Sequence, residues 1–155
     1  MTKSDEKAIG ALNKLTEICK DGQNGFSEAA DAIANPVIKS ELLVFAGQRG
    51  EFAGQLQQQV RALGGKSEKS GSAAGAMHRG WIDLRAAISG HDEYAVLAEC
   101  ERGEDVAKHT YEEILNGRDL PATLVPQVER QYGQIKIVHD RVRELRDSYA
   151  PASIR

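Results

Sequence analysis

The stretch from Glu93 to Leu115 constrains this chain more than any other. Leu97, Cys100, Ala107, Tyr111 and Ile114 recur at alternating three- and four-residue steps, the period of a helix with one apolar face. Glu104 takes the vacant slot in that stripe. A carboxylate turned toward a core must be paired, hydrogen-bonded or protonated. The spacing therefore predicts a buried helix, and what meets Glu104 at its middle becomes the central question.

The rest of the chain suits helices. Aromatic residues make up only 5%, while Ala, Gln and Glu are plentiful. At 155 residues the chain is long enough for one hydrophobic core. We expect one domain over residues 1–150 and a frayed tail over 151–155. A net charge of −3 without a clustered basic patch argues against a nucleic-acid surface. No apolar run reaches the length of a membrane span. Met1 to Lys7 is polar and lacks a signal-peptide core. Cys19 and Cys100 do not make a disulfide framework. The expected compartment is the cytoplasm, with both thiols reduced.

Four long helices follow from the pattern. The first runs from about Ser4, its expected cap, to Ala34, with Asp5 and Glu6 in the first turn. Its stripe is Ile9, Leu12, Cys19, Phe26, Ala29 and Ile33. Gly22 and Gly25 lie near that face, where they permit close approach of a neighbouring helix. Asn35-Pro36 ends it. The second runs from about Val37 to Leu63 through Ile38, Leu42, Phe45, Phe52, Leu56 and Leu63. Arg49 lies beside this stripe. Gln55, Gln57, Gln58 and Gln59 read as a solvated or edge face, and Gly64-Gly65 ends the helix. The third is the opening stretch, capped by Asp92 or Ser89 and stopped by Asn116-Gly117. The fourth begins near Thr123, tolerates Pro126 in its first turn, and carries Val125, Val128, Tyr132, Ile135, His139, Val142 and Leu145.

Residues 64–91 are far longer than a tight turn requires. A Gly/Ser/Ala-rich loop, Lys66 to Gly75, leads into a short amphipathic helix bearing Ala74, Met77, Trp81, Leu84 and Ile88. Trp81, the only tryptophan, anchors it. Such a connection can return along the molecule, leaving the second and third helices parallel. Short first and last turns with one long crossover describe an all-α, ferritin-like four-helix bundle with an extra short helix in the crossover. Each long helix would span about 40 Å.

Antiparallel helices of similar length align their midpoints. That places Cys19, Arg49 to Phe52, Glu104 and Lys136 to His139 at one level. Ferritin-like di-iron proteins hold metal at this level with one Glu from each of two helices and a Glu-x-x-His from each of the other two. Here Glu104 matches a single Glu. Lys136-Ile137-Val138-His139 keeps the His but has Lys for Glu. Arg49-Gly50-Glu51-Phe52 has Arg for Glu and Phe for His. Cys19 stands at the first-helix position. Two of six ligands remain, and two lost carboxylates have become cations. Arg49 and Lys136 would neutralise Glu104 without a metal and repel a divalent ion. The expectation is a core network of Cys19, Arg49, Glu104, Lys136 and His139, with no metal and no cofactor.

The chain also resembles a bacterial family of ferritin-like four-helix-bundle proteins, of the rubrerythrin and bacterioferritin fold, whose function is not established. The residues that carry the resemblance are Leu12-Asn13-Lys14-Leu15, Asp21-Gly22 and Gly25-Phe26, then Gly71-Ser72 and His78-Arg79-Gly80-Trp81. They continue with Cys100-Glu101-Arg102-Gly103-Glu104 and His139-Asp140-Arg141-Val142. The resemblance implies the fold, a bacterial cytoplasmic setting and a link to stress. It supplies no activity.

These readings favour a non-enzymatic structural or interaction protein. It would self-associate as a homo-oligomer, a dimer, with no nucleic-acid or membrane partner and an unidentified protein partner. The main alternative is a metal-binding or oxidoreductase remnant in which Glu104, His139 and Cys19 hold iron or zinc. An acid–base pair of Glu104 and His139 is another. A small-molecule pocket lined by Cys19, Phe52, Glu104 and His139 is a third. Cys19 with Cys100 could form a redox pair, and His78-Arg79-Gly80-Trp81 a partner or dimer surface. His91 and His109 read as exposed. Arg141 to Asp147 reads as a solvated face with paired charges.

Overall fold

The structure is a computed structural model that describes residues 1–67 and 81–151. Among these residues all regular structure is helical. The elements are α1 (Lys3–Ala32), α2 (Pro36–Ala62), the short α3 (Leu84–Ser89), α4 (Glu93–Asn116) and α5 (Val125–Ser148). No helix among the described residues is long and apolar enough to cross a membrane.

Local chemistry sets the ends. Thr2, not Ser4, caps α1. Its hydroxyl accepts from the Asp5 N–H at 3.0 Å, and its own N–H donates to the Asp5 carboxylate at 3.1 Å. This reciprocal capping box satisfies two amide groups at once, so it starts the helix earlier than Ser4 alone would. Asn35 caps α2 by accepting from Val37 and Ile38, with Pro36 pre-set at the first helical position. Gly64 then turns the chain at φ +86°, and the Gly65 N–H closes on the Val60 carbonyl at 3.0 Å. Of the two candidate caps of α4, Asp92 holds the role: its side chain accepts from Ala95 at 3.0 Å.

The expected crossover helix falls only partly within the described residues. Its described part is α3, with Leu84 and Ala87 buried. Ala74, Met77 and the His78-Arg79-Gly80 motif lie outside the described residues. Trp81 precedes α3 and is itself buried. Its ring lies between Gly25 of α1 and Gly103 of α4. A Cβ at Gly25 would fall 2.5 Å from the ring, and one at Gly103 would overlap it. Phe26 meets the same ring edge-on at 5.3 Å. The close approach permitted by Gly25 is thus made by an indole, not by a helix.

Cross-contacts fix the directions. Ala34 donates its N–H to Glu93 at 2.6 Å, and Cys19 meets Tyr111 at 3.1 Å, so α1 and α4 are antiparallel. Arg141 bonds Glu41, and Gln131 bonds Gln55, so α2 and α5 are antiparallel. With α1 and α2 joined by a short turn, α2 and α4 run the same way. The apolar side chains fall into two clusters. One includes Phe26, Ile33, Leu42, Trp81, Leu97, Cys100, Val142 and Leu145. The other includes Leu12, Leu15, Cys19, Phe52, Leu56, Tyr111, Val128 and Ile135. A polar layer lies between them.

Candidate functional site

Glu104 meets Arg49. The α4 stripe carries Glu104 inward, and α2 brings Arg49 to the same level. The guanidinium lies fork-to-fork on the carboxylate. Arg49 Nη1 bonds Glu104 Oε1, and Nη2 bonds Oε2 at 2.6 Å. Arg49 is 1% exposed and Glu104 is fully buried. A buried pair persists only when geometry returns what desolvation removes, and two parallel charge-assisted bonds are the strongest form available to these groups. Burial acts to lower the Arg49 pKa, but the charge and hydrogen bonds of Glu104 outweigh it and raise it. The aliphatic stem runs over Gly22, where an added Cβ would lie 3.2 Å from Arg49 Cγ. The guanidinium carbon stands 5.6 Å from the Phe26 ring centroid. Arg49 Nε finds no hydrogen-bond partner among the described residues.

A second polar chain crosses the lower cluster. Tyr111 donates its hydroxyl to Gln131 Oε1 at 2.7 Å, and Gln131 Nε2 donates to Gln55 Oε1 at 3.0 Å. The Cys19 thiol lies 3.1 Å from the same hydroxyl. With the Tyr111 proton directed at Gln131, the thiol is the donor in that contact. Burial pushes the Cys19 pKa up to about 11 and drives those of Tyr111 and Cys100 upward too. All three groups therefore stay protonated at neutral pH. Both thiols are free and buried, and each belongs to a different apolar cluster. The redox pair is not formed.

His139 turns away from Glu104. Its Nε2 lies 2.6 Å from Asp105 Oδ1 and 3.9 Å from Glu101 Oε1, while Nδ1 lies 3.1 Å from Asp140 Oδ1. Donor atoms of Glu101, Asp105 and His139 all fall within 4.8 Å of one another. Glu101 also accepts from Arg146 at Oε2 and from Arg143 Nε at 3.4 Å at Oε1. His139 holds the Asp140 carboxyl below its ordinary value by hydrogen bonding.

Of the five residues expected at one centre, the structure brings Arg49 onto Glu104 and sets Cys19 on Tyr111 nearby. Lys136 is exposed and stands 4.6 Å over the Tyr132 ring centroid. It lies outside the network because the α5 stripe runs through Ile135 and His139, and position 136 is rotated off it by about 100°. The expected pairing of Glu104 with His139, as ligands or as acid and base, fails for a related reason. His139 bonds Asp105, which lies one residue around α4 from Glu104. At the centre, where a small-molecule pocket was one expectation, stands the Arg49 side chain, the largest of those fully buried among the described residues.

Sequence reasoning missed Gln131, Gln55 and Tyr111 as polar partners. Tyr111 carried the signal, because a buried phenol needs an acceptor. His109 is exposed and forms a 3.4 Å contact with Glu113. His91 is exposed and adopts φ +53°.

The model of a family described as a domain of unknown function, DUF2383, matches residues 7–117. That span holds Cys19, Arg49, Gln55, Glu101, Glu104, Asp105 and Tyr111. It stops before α5, which supplies Gln131 and His139. No curated protein matches the chain.

Proposed function

The chain belongs to the DUF2383 family, and from that premise we propose that it is a ferritin-like four-helix bundle of structural or interaction function. Its centre is closed by an ion pair in place of a di-iron site. Four helices of 24 to 30 residues, with α2 and α4 parallel across a long connection, support the ferritin-like reading.

The observation that carries the functional reading is the Arg49 guanidinium laid across both oxygens of Glu104. The ligand set of a di-iron centre does not fit these residues. Both oxygens of the one matching glutamate are taken by a cation. The helix-α2 histidine position is Phe52, which is buried in apolar company. Cys19 is a protonated thiol bonded to Tyr111. Lys136 stands outside, and His139 faces Asp105. A fixed guanidinium also repels any divalent ion brought to Glu104. No redox or hydrolytic step is assigned to this centre.

Apolar side chains left at the surface support an interaction role. Val37 and Val44 project from one outer strip of α2, and Ile137 from α5. We infer self-association, with a dimer as the simplest closed form. A bacterial cytoplasmic setting and a link to stress accompany this reading.

The test is anaerobic titration with ferrous ion, followed by exposure to air, on protein purified without a metal-affinity tag. Wild type and a Glu104→Ala variant are compared. The expected result is that no iron binding or oxidation depends on Glu104. Two equivalents of iron in wild type, lost in Glu104→Ala, would overturn the reading. Sedimentation velocity on the same samples is expected to show a dimer.

A further inference from the structure

We propose that Glu101, Asp105 and His139 form a mononuclear site for a divalent transition-metal ion of the zinc class. The site lies at the seam of α4 and α5, separate from the Arg49–Glu104 centre. It does not depend on the reading given above.

The arrangement begins with helix spacing. Glu101 and Asp105 are four residues apart on α4, so their carboxylates share one edge. His139 faces that edge from α5. The imidazole is nine-tenths buried or more and is flanked by carboxylates at both nitrogens: Asp140 Oδ1 at 3.1 Å from Nδ1 and Asp105 Oδ1 at 2.6 Å from Nε2. A neutral imidazole carries one proton and cannot donate at both positions. With Nδ1–H directed at Asp140, the Nε2 lone pair points at an anion. With the proton on Nε2 instead, that contact is a hydrogen bond to Asp105, and a metal ion at Nε2 would take the place of that proton. A carboxylate on the far nitrogen is the partner that orients metal-ligating histidines and raises their basicity.

The dimensions suit a small ion. Zinc holds nitrogen and oxygen ligands at about 2.0–2.2 Å, which separates tetrahedral donors by roughly 3.4 Å. The observed separations from Nε2, 2.6 Å to Asp105 and 3.9 Å to Glu101, bracket that value. Asp105 is more than half exposed and free to swing outward by the small distance required. Glu101 offers Oε1, the more loosely held oxygen, since Arg146 takes Oε2 and Arg143 stands 3.4 Å from Oε1. A fourth position falls to water on the Asp105 side. One imidazole with two carboxylates favours zinc or ferrous ion over magnesium or calcium, which prefer all-oxygen sites.

The test is calorimetric titration of chelator-treated protein with zinc chloride, paired with the visible spectrum on adding cobaltous ion. One equivalent of zinc and a cobalt ligand-field band are expected in wild type. Asp105→Asn, isosteric and at the surface, should abolish saturable binding, as should His139→Gln. Asp140→Asn should weaken binding by about 10–100-fold. Arg143→Gln should tighten it several-fold by removing a competing cation. Glu104→Gln and His109→Ala should leave it unchanged, which separates this site from the central pair and from the exposed histidine. Absence of saturable zinc binding in wild type, or equal affinity in folded Asp105→Asn, would overturn the proposal and leave His139 as a hydrogen-bonded core histidine between two aspartates.

Discussion

Replacing Arg49 with Met leaves Glu104 buried without its only fork-shaped partner. Both members of the pair are almost wholly excluded from solvent, at 1% and 0% side-chain exposure, so water cannot screen or replace the lost bonds. Breaking such a pair from one side costs about 3–5 kcal/mol. That is a large share of the roughly 5–15 kcal/mol that holds a domain together. For a chain of this size it corresponds to a fall of roughly 10 °C in Tm. Glu104→Leu should cost a similar amount, since it strands the guanidinium. The double variant Arg49→Met with Glu104→Leu removes both charges and fills the layer with apolar volume. It should recover most of the loss, so the coupling energy from the cycle should approach the sum of the two single losses, about 5 kcal/mol or more. Urea unfolding of all four proteins, read by far-ultraviolet circular dichroism, gives the numbers. If the two single losses simply add in the double variant, or if neither single variant loses more than about 1 kcal/mol, the pair is not a mutually dependent buried unit. The argument from its geometry then fails.

Other perturbations test neighbouring features. Gly25→Ala or Gly103→Ala would drive a methyl into the Trp81 ring, costing about 1–3 kcal/mol and shifting the emission of the single tryptophan to the red. An unshifted spectrum would refute the packing. Cys19 should resist a thiol reagent such as dithionitrobenzoate in native protein at pH 8, because its pKa is held at about 11 against an ordinary 9.0; rapid labelling without unfolding would contradict its burial. The same shift sets a pH dependence. A thiol whose folded pKa is raised contributes full stability below pH 9.0, and that contribution is lost as pH rises to about 11. For Cys19 the loss is on the order of 2–3 kcal/mol. Cys19→Ala should flatten but not abolish this alkaline decline in unfolding free energy, since Cys100 and Tyr111 shift the same way.

Helix phase explains what was legible in the sequence and what was not. The stripes of α1, α2, α4 and α5 are long and regular, and proline, glycine and acidic caps mark their ends, so the elements read out within a few residues. That Arg49 lies at the level of Glu104 was also legible, while its inward turn was not. A carboxylate inside an apolar stripe needs a partner or a proton, and helix midpoints bring the Arg49 cation to its level. Alignment along the axis says nothing about rotation around it, however. His139 and Lys136 share that level, yet one lies in the α4–α5 seam and the other at the surface. Asp105 escaped notice because it sits next to the stripe, where an aspartate reads as solvated. Gln131 and Gln55 were hidden because neutral amides give no electrostatic demand that sequence can register. Only the buried Tyr111 hydroxyl required them.

The position of the ion pair between two apolar clusters bears on why such a costly device is kept. Leu97, Cys100, Ala107 and Tyr111 repeat at helical steps, so the aliphatic stripe alone is only a weak guard against a slide of α4 by one turn, about 5.4 Å. Hydrophobic contact alone discriminates poorly between those registers. The polar layer does not tolerate the slide. One turn in one direction sets Cys100 opposite Arg49 and leaves a guanidinium stranded in a dry core. One turn in the other brings Lys108 to the same place and adds like-charge repulsion. Either slip forfeits both bonds of the pair, a penalty of several kcal/mol. Gly22 extends the same logic to α1, because a Cβ there would press on the Arg49 stem at 3.2 Å. The charged contact therefore adds to the Trp81 packing in setting the register of α1, α2 and α4, and the double apolar variant should reveal its share. That variant can regain stability while losing the sharp, single set of amide resonances expected of the native chain. If its spectrum stays as sharp as wild type, register is fixed elsewhere, and the Trp81 packing between Gly25 and Gly103 becomes the element to examine.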